Sequence, residues 1–401
     1  ASVEGDGILA NLETRWPVPG QNLIVALDMK LQLAAFEAMG ESRGAVVALD
    51  PRNGDVLALV STPSFDPNRF SEGLSRSDFV ALNSDPNRPM FNRALTGRYP
   101  PGSTIKPFFG LAGLYHESVA EHDHKFCPGY FSLPGQTHRY RDWRPQGHGS
   151  MDLHNAIVQS CDVFYYQLAV DLGIDNMEAF LRRFGFGALT GLDISGERIG
   201  VVPSREWKRR SFSRREDQVW FPGETVIAGI GQGFTLVTPI QLANATAAMS
   251  MRGDRFETRL LIATENGLDP EPSNRLPRLL SPLLDVDAEH WQQVHDAMVG
   301  VNAEPVGSGF RSMSGTEYLV AGKTGTAQVY SVAQDEEYDE EGLDESLRDH
   351  GLYIAFAPAD DPQVVVAVVV ENGGGSSAAI PVARRILDSY FEGTEYVAQQ
   401  R

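Results

Sequence analysis

The chain has 401 residues, 42% of them hydrophobic and 22% charged, enough apolar material for one large core or two. Its net charge of −19 argues against nucleic acid or acidic lipid as a general partner. Two cysteines are too few for a disulfide scaffold, and no run approaches the roughly 18 apolar residues of a membrane span.

In chain order, residues 1–21 are polar and rich in Gly and Pro and read as a lead-in segment. Without an initiator Met or a signal-peptide pattern, the chain is expected to be mature and processed, or an excised portion of something longer. Leu23 to Asp28 reads as a short strand whose Asp28 caps a helix over Met29–Met39. Gly44–Leu49 and Val56–Val60 flank Asn53-Gly54, the signature of a β-hairpin. A long middle region alternates helical patterns with Gly and Pro, the clearest helices being Gln241–Met251 and His290–Gly300. Strands return with Tyr318–Val320 leading into Gly322–Thr326, then Leu352–Phe356 and Gln363–Glu371, before a closing helix over Pro381–Phe391. The acidic run Asp335–Glu341 reads as a solvated loop. Strands at both ends with helices between predict a mixed α+β fold whose sheet draws on distant parts of the chain.

Three short motifs carry chemistry. In Ser103-Thr104-Ile105-Lys106, behind a stiff Tyr99-Pro100-Pro101-Gly102 turn, positions three apart share a helical face, so the Lys106 amine can reach the Ser103 hydroxyl. Serine is a weak nucleophile until a base takes its proton, and a partly desolvated lysine can be that base. Alone this tetrad is common. It is followed in order by Ser160-Cys161-Asp162 and by Lys323-Thr324-Gly325-Thr326 at a strand edge, the set used by serine acyltransferases that open β-lactams. In that chemistry Ser103 attacks, Lys106 takes its proton and Ser160 relays a proton to the leaving amine. Lys323 adds positive charge, and Thr324 and Thr326 bind a substrate carboxylate. Gly325 is expected to let substrate approach the strand closely. Backbone N–H groups of Ser103 and Thr326 are the expected oxyanion donors. Gly229-Ile230-Gly231-Gln232-Gly233 lacks the spacing and setting of a nucleotide loop.

Together with Ala45–Pro51, Ser61–Asn68, Tyr140–Trp143 and Arg348-Asp349-His350, these motifs make residues 22–392 resemble the transpeptidase domain of class B penicillin-binding proteins of the elongation type, penicillin-binding protein 2. Residues 393–401 are left as a C-terminal tail. The resemblance implies the fold shared with serine β-lactamases: a central antiparallel sheet flanked by helices, plus an all-helical subdomain. It implies a serine D,D-transpeptidase that cross-links peptidoglycan stem peptides during rod elongation and is acylated by β-lactams. It also implies a periplasmic location, with an N-terminal inner-membrane anchor and pedestal that contact a SEDS-type glycosyltransferase and elongasome scaffold proteins. A serine β-lactamase, a D,D-carboxypeptidase and a silent scaffold are the rival readings. Many relatives have Asn where this chain has Asp162, while the resemblance implies that elongation-type members often carry Asp, and a carboxylate there favours charged neighbours.

Cys127, Asp142, His148 and Cys161 are all zinc-binding residue types, but their spacing matches no standard finger. Spacing alone leaves open a metal site, a Cys127–Cys161 disulfide, or two unrelated thiols. The resemblance favours structural Zn2+, since some relatives hold zinc through such positions, with Asp where this chain has Cys127. No cofactor is required for the acyl transfer itself.

Overall fold

The structure, a computed structural model, describes residues 20–266, 269–280, 285–329 and 344–392. Most of the lead-in, the acidic run Asp335–Glu341 and the tail 393–401 lie outside the described residues.

Five antiparallel strands form the central sheet: β1 (Gly44–Leu49), β2 (Val56–Thr62), β3 (Ala321–Ala327), β4 (His350–Ala357) and β5 (Val364–Val370), in the order β3-β4-β5-β1-β2. The Asn53-Gly54 turn closes the β1–β2 hairpin as expected: Gly54 has φ +81°, and Asn53 Oδ1 accepts the Asp55 N–H at 2.8 Å. The middle of the sheet pairs Ala367 with Val47, joining the late strand β5 to the early strand β1.

Both faces of this sheet are covered, which is why β5 reads as a continuous apolar run rather than an alternating one. Val364, Val366, Val368 and Val370 face α1 (Met29–Met39) and the closing helix α7 (Ala379–Phe391). Val365, Ala367 and Val369 face the larger core of α2 (Lys106–Tyr115), α3 (Leu153–Val158), α4 (Asp162–Arg183), α5 (Pro239–Ser250) and α6 (Ala288–Ala303). Helix α4 is broken at Gly173, where φ is +71° and ψ 155°.

Asp28 caps α1 as predicted, its Oδ1 accepting the Lys30 N–H at 2.8 Å, while the strand before it is shorter, Asn22–Val25. Helix α5 begins two residues earlier than its apolar pattern indicates. Pro239 occupies the first turn, where no N–H is needed, and Thr238 and Gln241 exchange side chain-to-backbone bonds in a capping box. Among the described residues no helix is long and apolar enough to cross a membrane.

Candidate active site

Ser103 lies in a 3-10 turn, Gly102–Ile105, that runs into α2 at Lys106. With three residues per turn, Ser103 and Lys106 still fall in line, as the shared-face expectation requires. Gly102 is needed here: its φ is +52°, and a Cβ would lie 2.3 Å from the Thr326 carbonyl oxygen. The turn is seated from behind by the Gly102 N–H donating to Gly231 O at 3.1 Å, and Gln232 Nε2 donates to Thr326 O at 3.0 Å. The Gly229–Gly233 run is therefore a backing piece for the nucleophile turn and β3.

Lys106 has no exposed surface. Its Nζ donates to Ser160 O at 2.7 Å, Ser160 Oγ at 3.2 Å and Asp162 Oδ1 at 2.7 Å. Those bonds account for its three donors, and none goes to Ser103. The structure thus brings Lys106, Ser160 and Asp162 together directly, with Ser103 one 3-10 turn before Lys106. Ser160 itself is strained, a non-glycine residue with φ +58°.

Lys323, on β3, is also fully buried, and its Nζ donates to Thr324 O at 3.1 Å. Burial, then the charge of Lys106, push the Lys323 amine well below its ordinary pKa, with Asp162 opposing. Thr324 Oγ1 is 2.7 Å from Ser308 Oγ, whereas Thr326 is exposed at the strand edge. Gly325 has a reason within the fold besides the one expected of it. A Cβ there would meet Thr104 Cγ2 at 2.6 Å and Pro101 O at 3.1 Å, so the close approach is made by the nucleophile turn.

The four candidate metal ligands converge beside this centre. Two short antiparallel pairs, Lys125–Cys127 with Gly149–Met151 and Tyr130–Phe131 with Tyr140–Arg141, fold the loop that carries three of them back onto the start of α4. The donor atoms of Cys127, Asp142, His148 and Cys161 all lie within 4.8 Å of one another, and both cysteines are free thiols. Cys127 Sγ is 3.5 Å from Asp142 Oδ2 and 3.6 Å from His148 Nδ1; Cys161 Sγ is 3.4 Å from Asp142 Oδ2. Asp142 Oδ2 also accepts the N–H groups of Asp162 at 2.8 Å and Val163 at 3.1 Å, so it caps α4 from outside the helix. Burial raises the Asp142 pKa, but the His148 bond, the backbone N–H groups and the Lys106 charge together hold it well below the usual carboxylate range. Burial, and then the Asp142 charge, push the Cys161 thiol far up, and burial raises Cys127 as well. A divalent cation held by these residues would reverse that balance, because coordination removes thiol protons.

Comparison with known proteins matches residues 44–388 to the family described as the penicillin binding protein transpeptidase domain. This chain belongs to that family. The transpeptidase-domain match agrees with the family and fold expected from the residues. Among curated relatives, the peptidoglycan D,D-transpeptidase MrdA of Acinetobacter baumannii is 42% identical over 390 residues, 96% of this chain and 57% of that protein. The chain therefore spans less than two thirds of such a relative's length. Among solved structures, Pseudomonas aeruginosa PBP2 in complex with WCK 5153 superposes with a TM-score of 0.80 at 41% identity, covering 94% of this chain and 80% of that one. Helicobacter pylori PBP2, solved in complex with MreC, gives a TM-score of 0.82 at 30% identity, covering 93% and 64%.

Proposed function

We propose that this chain carries the acyl-transfer centre of an elongation-type peptidoglycan D,D-transpeptidase. The observation that carries the reading is the buried Lys106 amine, held between Ser160 Oγ and Asp162 and one short turn from Ser103. Lys106 first passes a proton to Asp162 Oδ1, 2.7 Å away, and its neutral amine then takes the Ser103 proton as Ser103 Oγ attacks the carbonyl carbon of the penultimate D-Ala of a stem peptide. Backbone N–H groups of Ser103 and Thr326 hold the oxyanion. Ser160 delivers a proton to the departing amine as the C–N bond breaks and the terminal D-Ala leaves. The amine of a neighbouring stem then attacks the Ser103 ester, forming the cross-link and returning the proton to Ser103. Lys323, Thr324 and Thr326 hold the substrate's terminal carboxylate. A β-lactam enters the same sequence, its ring amide taking the place of the D-Ala-D-Ala bond.

The same reading makes the cysteine cluster a structural zinc site. Tetrahedral zinc, at about 2.3 Å from sulfur and about 2.0–2.1 Å from nitrogen or oxygen, needs donors roughly 3.3–3.8 Å apart. Four of the contacts, at 3.4–3.6 Å, fall in that range, the cysteines meeting Asp142 Oδ2 and His148 meeting Asp142 Oδ1, and one donor atom from each residue lies within 4.8 Å of the other three. Four protein ligands leave no place for a reacting water, so the metal's contribution is to fix the Cys161 end of the Ser160–Asp162 segment. The reading extends to work at the periplasmic face of the inner membrane beside a SEDS-type glycosyltransferase and an MreC-like scaffold, the last supported by the likeness to Helicobacter pylori PBP2 solved with MreC.

The test is intact-protein mass after addition of benzylpenicillin, with Ser103→Ala as control. A persistent single adduct that requires Ser103 supports the reading. An adduct that disappears as drug is consumed points to a β-lactamase, and no adduct at all sinks it.

A further inference from the structure

We propose that Trp143 is a positioning residue for the acyl transfer, its indole N–H and the Lys106 amine converging on the Ser160 carbonyl to hold that serine's hydroxyl in place. The inference rests on the transpeptidase reading of the same site.

Ser160 occupies the left-handed region at φ +58°. A non-glycine residue there is strained and persists only where its surroundings over-determine it. The local chain supplies part of the restraint, through Ser160 N–H to Ile157 O at 3.2 Å and Cys161 N–H to Ala156 O at 3.0 Å. The rest comes across space. Lys106 Nζ reaches Ser160 O at 2.7 Å, and Trp143 Nε1 donates to the same oxygen at 3.1 Å and to Gln159 O at 3.3 Å. The backbone N–H of Trp143 meanwhile donates to Asp162 Oδ2 at 3.1 Å. Trp143 therefore straddles Cys161, gripping the residues before it through the indole and the residue after it through the backbone.

Core packing does not explain this tryptophan. It is 60% exposed, and its ring meets His148 edge-on at 5.4 Å between centroids. The part of it that is engaged is the N–H. Without that bond the Ser160 carbonyl keeps Lys106 alone, and the peptide can relax towards ordinary backbone angles, turning Oγ away from its 3.2 Å contact with Nζ. Non-covalent binding of a β-lactam does not depend on that contact, whereas bond-making does.

Two variants separate the N–H from the ring: Trp143→Phe, and replacement of the indole by benzothiophene, which keeps the shape and puts sulfur where the N–H was. The first-order acylation constant with benzylpenicillin is expected to fall about tenfold in both, with the pre-acylation binding constant within about twofold of wild type. Melting temperatures should stay within about 2 °C, as for other exposed substitutions. Hydrogen exchange of the peptide spanning 156–162 should quicken. Acylation constants within about twofold of wild type in both variants would overturn the inference. So would losses of acylation that merely track losses of melting temperature. If the wild type takes no adduct at Ser103, the transpeptidase reading fails, and exchange over 156–162 decides this inference alone: unchanged exchange rejects the tether, and faster exchange keeps it.

Discussion

Lys106 Nζ sits 2.7 Å from Asp162 Oδ1 at a point where the lysine has no exposed surface and the aspartate very little. A charge in such a place persists only when paired, and removing one partner of a buried pair costs about 3–5 kcal/mol because the other is left uncompensated. Asp162→Ala is accordingly expected to destabilise the protein by about that amount, and Asp162→Asn by less, since the amide keeps a polar partner for the amine. Urea unfolding of the two variants checks the order; equal, small losses would mean that the pair does not hold the site together.

Gly325→Ala should damage the nucleophile turn without touching a reacting group. The new Cβ would press on Thr104 Cγ2 at 2.6 Å, and overpacking of this kind costs about 1–3 kcal/mol. Adding Thr104→Ser removes that methyl and should restore part of both stability and Ser103 acylation. The restoration is partial because Pro101 O remains at 3.1 Å. A double variant no better than the single one would argue against the contact as the cause.

Zinc content measured by elemental mass spectrometry should be close to one per chain, and chelation should lower the melting temperature by several degrees, since binding to the folded state alone stabilises it. Cys161→Ala should lose the metal, melt lower and acylate more slowly, because Cys161 lies between Ser160 and Asp162. A metal-free Cys161→Ala protein as stable and as reactive as wild type would remove the metal from the account.

His295 supplies a pH dependence far from the chemistry. Burial, reinforced by Arg252 and opposed by the Met249 carbonyl and Asp296, lowers its pKa from 6.5 to about 4. Its Nε2 lies 2.7 Å from Met249 O on the neighbouring helix. Between those two values the unfolded chain binds the proton and the folded chain does not, so stability falls as pH falls from 6.5 towards 4. The full loss is up to about 3 kcal/mol. His295→Gln should flatten that stretch of the stability curve; identical slopes in both proteins would assign the acid sensitivity elsewhere.

Much of this was legible in the residues. Asn53-Gly54 announced the β1–β2 hairpin, the run of valines from Val364 to Val370 announced a doubly covered strand, and the three motifs met at one centre. Tertiary contact hid the rest. The three-residue pairing of Lys125–Cys127 with Gly149–Met151 is too short to show a period, so nothing local reported that Asp142 would arrive at the start of α4. The packing of Gly325 against Thr104 was hidden because Thr104 belongs to a segment far off in the chain. Trp143 appeared within a familiar stretch, Tyr140–Trp143, but a lone indole N–H has no pattern to announce where it will donate. The 3-10 geometry at Ser103 escaped for a simpler reason, since a three-residue spacing suits either kind of helix.

The sheet interleaves the two ends of the chain, and that sets an order of assembly during synthesis. Every residue assigned a part in the chemistry, from Ser103 to Thr326, precedes His350, where β4 begins, and so emerges before it. At that moment β3 has no neighbour, β1 lacks β5, and the hairpin of β1 and β2 shows an open edge. A chain stopped there would hold the whole set of reacting side chains but no sheet to join β3, with Lys323, to the rest. The last strands, which carry none of those groups, turn the set into a site.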